Sequence, residues 1–350
     1  MRLVEIFKNY NLRYREKFSN VYYRQLLRLA RMLIQTPLAS YRQGILKVMI
    51  GLTYDCQCDC AYCCSGLYHK SRENELSVSE IKALIQDISR LPSLCTLASF
   101  FGGEALLKES IFDLVRDASR NGLFTETETN GILLSFENVR KLKKAGLHHI
   151  FIRIESTDPE LHDDISGFKG CFKSALEGLG HCVAEKLSCS ISTIAFKDKI
   201  YNGELERIIS LGKRLGVTSV RIIYPTCTGK LLKDNKQVLG TEEKEAVGRL
   251  LRPDFVYLES THVCTKERDR ICPSKQKKLF YISCYGEVQP CPFVPLGFGN
   301  IRQERISEIL PRMQQNAIFN GAHYNGCLMD DLGLPAEHVN HALPGARLPV

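Results

Sequence analysis

The chain has 350 residues, 44% hydrophobic and 25% charged, a globular balance with no disordered-type bias. Its formal charge of +8 is moderate, and its Lys and Arg crowd the first 43 positions and residues 266–278 without aromatic residues interleaved in a basic tract. This argues against a nucleic-acid-binding protein, and no run approaches the roughly 18 apolar residues of a membrane span. Met1-Arg-Leu-Val opens no signal peptide, so the fifteen cysteines point to reduced thiols in a cytoplasm, many of them serving metal.

Residues 1–45 read as a basic helical segment. In Tyr22–Ile34 apolar residues recur at helical spacing with arginines between them, and Pro37 ends the run. Packing on the exterior of the main domain is the expected use of its apolar stripe; contact with a membrane surface is the alternative.

Val48–Thr53 reads as a strand, and it runs directly into five cysteines within nine residues. Cys56, Cys60 and Cys63 have the spacing C-x3-C-x2-C, with Tyr62 just before the third. Three thiolates in one tight loop hold three irons of a [4Fe–4S] cluster and leave the fourth iron open for reaction. A zinc site from Cys56, Cys58, Cys60 and Cys63 is the competing reading, with one-residue separations that suit zinc poorly. Cys58 and Cys64 read as small bystanders.

Beyond the loop, strands and helices alternate. Ser77-Val-Ser-Glu80 is a capping box opening a helix to about Ser89. Strands follow at Leu97–Phe101, Phe124–Thr129, His149–Ile154, Ser188–Ala195 and Thr218–Tyr224, with helices over Ile111–Arg120, Phe136–Ala145, Phe172–Glu185 and Leu205–Leu215. Six strands alternating with helices predict parallel β/α packing. Polar motifs sit just after strands, where β/α barrels place their working residues: Gly102-Gly103-Glu104 after the second, Asn130-Gly131 after the third, Arg153-Ile-Glu155-Ser156 after the fourth.

The last third differs. Cys264, Cys272, Cys284 and Cys291 surround a predicted hairpin at Tyr285-Gly286, a helix is expected over Ile306–Met313, and Cys327 follows. Residues 331–350 read as a poorly packed tail.

The cysteine spacing, Gly-Gly-Glu, Thr129-Asn130-Gly131 and the segment through Glu160-Leu-His162-Asp163 resemble the radical S-adenosylmethionine (SAM) superfamily. The pattern of Cys272, Gly286 and Cys291 resembles its SPASM or twitch extension. The chain departs from the family at Ala105, where proline is usual, at Arg153, where serine is common, and at Ser166. The resemblance implies a partial (β/α)6 barrel of TIM type over 46–258, an auxiliary cluster domain over 259–330, and the helical segment 1–45 and tail 331–350 outside them. It implies that Cys56, Cys60 and Cys63 bind the catalytic [4Fe–4S] cluster and that SAM is held by Tyr62, Gly102, Gly103, Glu104, Asn130, Arg153 and Ser156. Arg153 has a second use, an internal salt bridge to Glu126 or Glu128, and His162 reads as structural. One auxiliary [4Fe–4S] cluster would take Cys264, Cys272, Cys291 and Cys327, with Cys284 in reserve; a zinc ribbon is the competing identity.

The implied chemistry is reductive cleavage of SAM to a 5′-deoxyadenosyl radical that abstracts hydrogen from an organic substrate. An auxiliary cluster would aid oxidation or binding of that substrate, and flavodoxin or ferredoxin would serve as reductant. A small molecule is favoured, because the first 45 residues are too short and too helical for a winged-helix leader-peptide module; peptide maturation is the alternative. From another class, a non-catalytic iron–sulfur electron carrier or sensor would leave Gly-Gly-Glu and Asn-Gly without purpose. No residue is assigned to the catalytic step itself.

Overall fold

The computed structural model describes residues 45–66, 72–91, 95–231, 235–252, 254–259, 272–294, 296–319 and 327–329. The basic N-terminal helix, Cys264 and the tail 331–350 lie outside the described residues.

Strand β1 (Ile45–Gly51) leads through the cysteine loop to helix α1 (Val78–Ser89) and β2 (Cys95–Phe101). Next come α2 (Ile111–Arg120), β3 (Phe124–Thr129), α3 (Phe136–Ala145) and β4 (His149–Arg153). They are followed by α4 (Pro159–Ser166), α5 (Cys171–Ala184), β5 (Cys189–Ile194), α6 (Lys197–Tyr201), α7 (Glu204–Leu215) and β6 (Ser219–Ile223). The last described elements are α8 (Thr241–Leu250), β7 (Val256–Leu258), β8 (Leu279–Ile282), β9 (Val288–Gln289) and α9 (Ile306–Gln315). The expected capping box opens α1: the Glu80 N–H donates to Ser77 Oγ at 3.2 Å and the Ser77 N–H to Glu80 Oε2 at 2.7 Å.

Among the described residues one nine-stranded sheet runs β7-β6-β5-β4-β3-β2-β1-β8-β9. Every strand pair is parallel except β8 with β9. Strands β1 to β6 are the expected open half-barrel, in chain order. The sequence reading set the Tyr285-Gly286 hairpin in an appendage; instead its first strand extends the sheet, pairing Lys47 with Leu279 through Ile50 with Ile282. The reason is local: β1 would otherwise present an unpaired edge, and Phe280, Tyr281 and Ile282 are each at most 1% exposed once docked there.

One face of each strand packs under the helices, through residues such as Val48, Ile50, Phe100, Ile150, Ile152 and Ile191. The other face is charged. In Phe124-Thr-Glu-Thr-Glu-Thr129 the two-residue period sends Glu126 and Glu128 to the same side. Lys47 on β1 meets Glu126 at 2.9 Å and Glu259 at 3.2 Å. Fully buried Arg221 on β6 grips Glu128 with two bonds, at 2.6 and 3.0 Å, and lies 3.8 Å over the Phe151 ring. Burial alone would raise the Glu128 carboxyl, but Arg221 and Arg153 outweigh it and hold it below its ordinary range. A charged interior of this kind is satisfied only as a paired network, and its Glu128, Arg221 and Glu259 line the cavity described next.

Candidate active site

A cavity of about 630 Å³ opens over the C-terminal ends of the strands. Cys56, Cys60, Tyr62 and Cys63 line it from the loop after β1. Gly102, Gly103 and Glu104 line it from the end of β2, Asn130 from the end of β3, and Arg153 from β4. Cys272, Cys291 and Cys327 line it from the other end of the sequence. Two sets of cysteines more than 200 residues apart thus share one wall space.

The cysteine loop is held at several points. At one side the Asp59 N–H donates to Ser166 O at 2.9 Å and the Ala61 N–H to Ile165 O at 3.0 Å, so the loop rests on the last turn of α4. From the segment after β6, the Lys230 N–H donates to the Cys63 carbonyl at 3.0 Å, and Lys230 Nζ donates to Asp59 O at 3.1 Å and pairs with its carboxylate. Gly229, at φ +53°, permits this approach, since a Cβ there would stand 2.2 Å from Cys63 O. The same segment reaches the second set: the Thr228 hydroxyl donates to Phe293 O at 3.2 Å, two residues past Cys291. Sequence reasoning missed this clamp, because its partners lie far apart in the chain.

Gly102-Gly103-Glu104 is stitched to the base of that loop. The Gly103 N–H donates to Thr53 O at 2.7 Å and the Glu104 N–H to Asp55 O at 2.8 Å. A Cβ on Gly102 or Gly103 would stand 2.2 Å from the carbonyl oxygen of Thr53 or Asp55 respectively. The close approach these glycines need is therefore to the loop backbone, whatever they also offer a ligand. The Glu104 carboxylate, 1% exposed as a residue, accepts from the Leu106 N–H at 3.1 Å, the Thr129 hydroxyl at 2.9 Å and the Asn130 N–H at 2.9 Å. Burial pushes its carboxyl up to about 7, against the pull of these three donors. An ionised carboxylate has room for about four hydrogen bonds, which leaves a place for a cationic donor.

Arg153 takes the internal role that the sequence left open, 3.9 Å from Glu128 and 3.6 Å from Glu155, and stands 5.6 Å from the centre of the Tyr62 ring. Its Nη1 is buried and makes no hydrogen bond. Glu155 is held in turn by Lys199, with which it forms a buried ion pair. Burial raises the Glu155 carboxyl, and Lys199 and Arg153 overcome it to hold the group ionised. His162 is structural, its Nδ1 accepting from the Glu155 N–H at 3.1 Å.

Two assignments do not join the site. Ser156 is fully buried and outside the cavity walls; its hydroxyl donates to Glu204 Oε1 at 3.3 Å and accepts from the Asp158 N–H at 3.1 Å. Its SAM contact is therefore withdrawn, because α7 brings an acceptor to it from behind. Cys284 is also fully buried, packed with Tyr54 and Tyr285 rather than facing the cavity.

The donor set fits iron–sulfur clusters. A hydrogen bond from the Cys58 thiol holds the Cys60 thiol below the ordinary range, against burial and with help from Arg153, which favours the thiolate that binds metal. Burial pushes the Cys291 thiol up, and its neighbours Cys327 and Cys272 add to that, the mutual repulsion a bound cluster relieves.

Comparison with known proteins agrees with this geometry. Residues 50–212 match the radical SAM superfamily, and residues 272–329 match an iron–sulfur cluster-binding domain, SPASM. The chain is 26% identical to the AdoMet-dependent heme synthase of Oleidesulfovibrio alaskensis over 285 residues, covering 74% of this chain and 72% of that one. It is 27% identical to the PqqA peptide cyclase of Rhodopseudomonas palustris over 196 residues, covering 56% and 51%. In fold it is similar to Streptococcus suis SuiB bound to the precursor peptide SuiA, with a TM-score of 0.64 at 14% identity, covering 95% of this chain and 81% of that one.

Proposed function

We propose that this chain, a radical SAM enzyme with a C-terminal SPASM domain, removes a hydrogen atom from a small organic molecule seated in the cavity that its two sets of cysteines share. The observation that carries the reading is this shared cavity, lined by Cys56, Cys60, Cys63 and Glu104 and also by Cys272, Cys291 and Cys327. A [4Fe–4S] cluster on three cysteines supplies, with SAM, a 5′-deoxyadenosyl radical, the hard chemistry being the cofactor's.

The chain's own residues bind and orient. Cys56, Cys60 and Cys63 are the ligands of the catalytic cluster, on a loop clamped by Lys230 and by the end of α4. Glu104 accepts from the amino group of SAM in a charge-assisted bond, which also draws its carboxyl back toward the ionised form. Gly102 and Gly103 bring the strand end against the loop, Tyr62 supplies an apolar wall, and Arg153 lines the cavity beside it. Cys272, Cys291 and Cys327 belong to one auxiliary [4Fe–4S] cluster, with Cys264 as its fourth ligand. Ile223, Val238, Leu239 and Leu258 add apolar lining to the cavity.

The similarity to a heme synthase over 74% of this chain supports a small-molecule substrate. A peptide is the second reading, supported by the likeness to the PqqA peptide cyclase over 56%. Incubation of the reconstituted protein with SAM, dithionite and either a heme precursor or a candidate precursor peptide tests the choice. 5′-Deoxyadenosine release that rises with the heme precursor, together with a new porphyrin product, is expected. A rise with the peptide alone would reverse the reading.

A further inference from the structure

The Asn130 carboxamide is fixed at both ends. Its Oδ1 accepts from the Ile132 N–H at 2.9 Å, which orients the group so that Nδ2 carries its donors toward the cysteine loop. Those donors reach Gln57 Oε1 at 3.2 Å and Cys56 Sγ at 3.7 Å. The backbone is pinned too: the Asn130 N–H is bonded to Glu104 Oε2 at 2.9 Å. The Cys56 sulfur accepts a second bond from the Cys58 N–H at 3.4 Å. The side chain is thus committed to the cysteine loop.

We infer that Asn130 is a positioning residue of the catalytic cluster, one that donates a hydrogen bond to the Cys56 thiolate and thereby raises the cluster's reduction potential. The inference rests on the reading of Cys56 as a cluster ligand. Reduction adds negative charge that is shared by the sulfurs, and a donor aimed at a ligand sulfur stabilises the reduced form more than the oxidised one. One residue therefore joins the carboxylate proposed for the SAM amino group to a thiolate of the cluster it serves.

Two variants separate this from a turn-forming role. Asn130→Asp keeps an acceptor for the Ile132 N–H and keeps a residue that favours turns, but loses the donor. Asn130→Leu loses the donor without adding charge. The measurement is a redox titration, followed by electron paramagnetic resonance, of the anaerobically reconstituted full chain without SAM. The catalytic signal is identified as the one that the Cys56→Ala/Cys60→Ala/Cys63→Ala protein loses. Its midpoint is expected to move to more negative potential in both variants, the ratio of reduced to oxidised cluster at the wild-type midpoint falling by about fivefold, the factor an ordinary net hydrogen bond carries. The auxiliary signal and the iron content are expected to stay at wild-type values. An unmoved midpoint in both variants, or loss of the catalytic signal from both, would overturn the inference alone. A signal set that survives intact in the triple-cysteine protein would overturn the ligand reading and the inference with it.

Discussion

Lys230 grips Cys63 through the main chain: its N–H donates to the Cys63 carbonyl at 3.0 Å, across 167 residues of sequence. That bond exists because Gly229 sits at φ +53° with no side chain, against the carbonyls of Cys63 and Cys64. Gly229→Ala would force a Cβ to within 2.2 Å of Cys63 O and 2.5 Å of Cys64 O. The clamp must then open, and the loop that it shapes should hold its cluster poorly. About four irons per chain should be lost after reconstitution while far-ultraviolet circular dichroism stays that of the wild type. Full iron in Gly229→Ala would show that the loop keeps its shape without the clamp.

Glu104→Gln should retain all iron and weaken SAM binding by about 1.5–3 kcal/mol, the range for a hydrogen bond involving a charge. The amide keeps an oxygen for the Thr129 hydroxyl and the Leu106 N–H but loses the acceptor of the Asn130 N–H, so far-ultraviolet circular dichroism and iron content are measured on the same protein. Equilibrium dialysis with labelled SAM measures the loss. An unchanged affinity would make Gly-Gly-Glu only the stitch between β2 and the cysteine loop.

The elements legible in the sequence are those whose signal is local. The cysteine triplet lies within eight residues of chain, Gly-Gly-Glu and the Ser77–Glu80 box within three or four, and the alternation of strands and helices is periodic. What escaped is long-range. Nothing near Lys230 announces Asp59, and Ser156 looks like a site residue until α7 brings Glu204 to it. Lys199 and Glu155 are ordinary charged residues in sequence, and only the fold buries them as a pair. The docking of β8 on β1 was hidden because Phe280–Ile282 reads equally well as half of a free hairpin.

The auxiliary cysteines should matter after SAM cleavage rather than for it, since the cluster proposed to cleave SAM is held by Cys56, Cys60 and Cys63 and needs none of them. A Cys272→Ala/Cys291→Ala protein should still release 5′-deoxyadenosine with a strong reductant, yet yield little finished product. Substrate affinity measured on the same protein separates a lost electron acceptor from a lost substrate site. Product formed at the wild-type rate would reduce these cysteines to a structural staple.

Buried His148 should make the barrel acid-sensitive. Burial lowers its imidazole from 6.5 to about 4, and its Nδ1 accepts from the Thr125 N–H at 3.0 Å, a bond that protonation there would break. The unfolded chain takes up this proton at a higher pH than the folded one. The contribution is therefore fully present above about pH 6.5 and is lost as pH falls toward 4, roughly 3 kcal/mol in all. The urea midpoint of the cluster-free protein should drop across this window, and drop less in His148→Gln. Equal slopes in the two proteins would remove His148 as the cause.

The central claim, that two separate sets of cysteines each hold a cluster, is tested most directly by iron and sulfide content. Anaerobically reconstituted protein should carry about eight irons, and Cys56→Ala/Cys60→Ala/Cys63→Ala protein about four, with the remainder still bound. A triple variant that loses all its iron, or a wild-type protein that takes up zinc in its place, would contradict the two-site account.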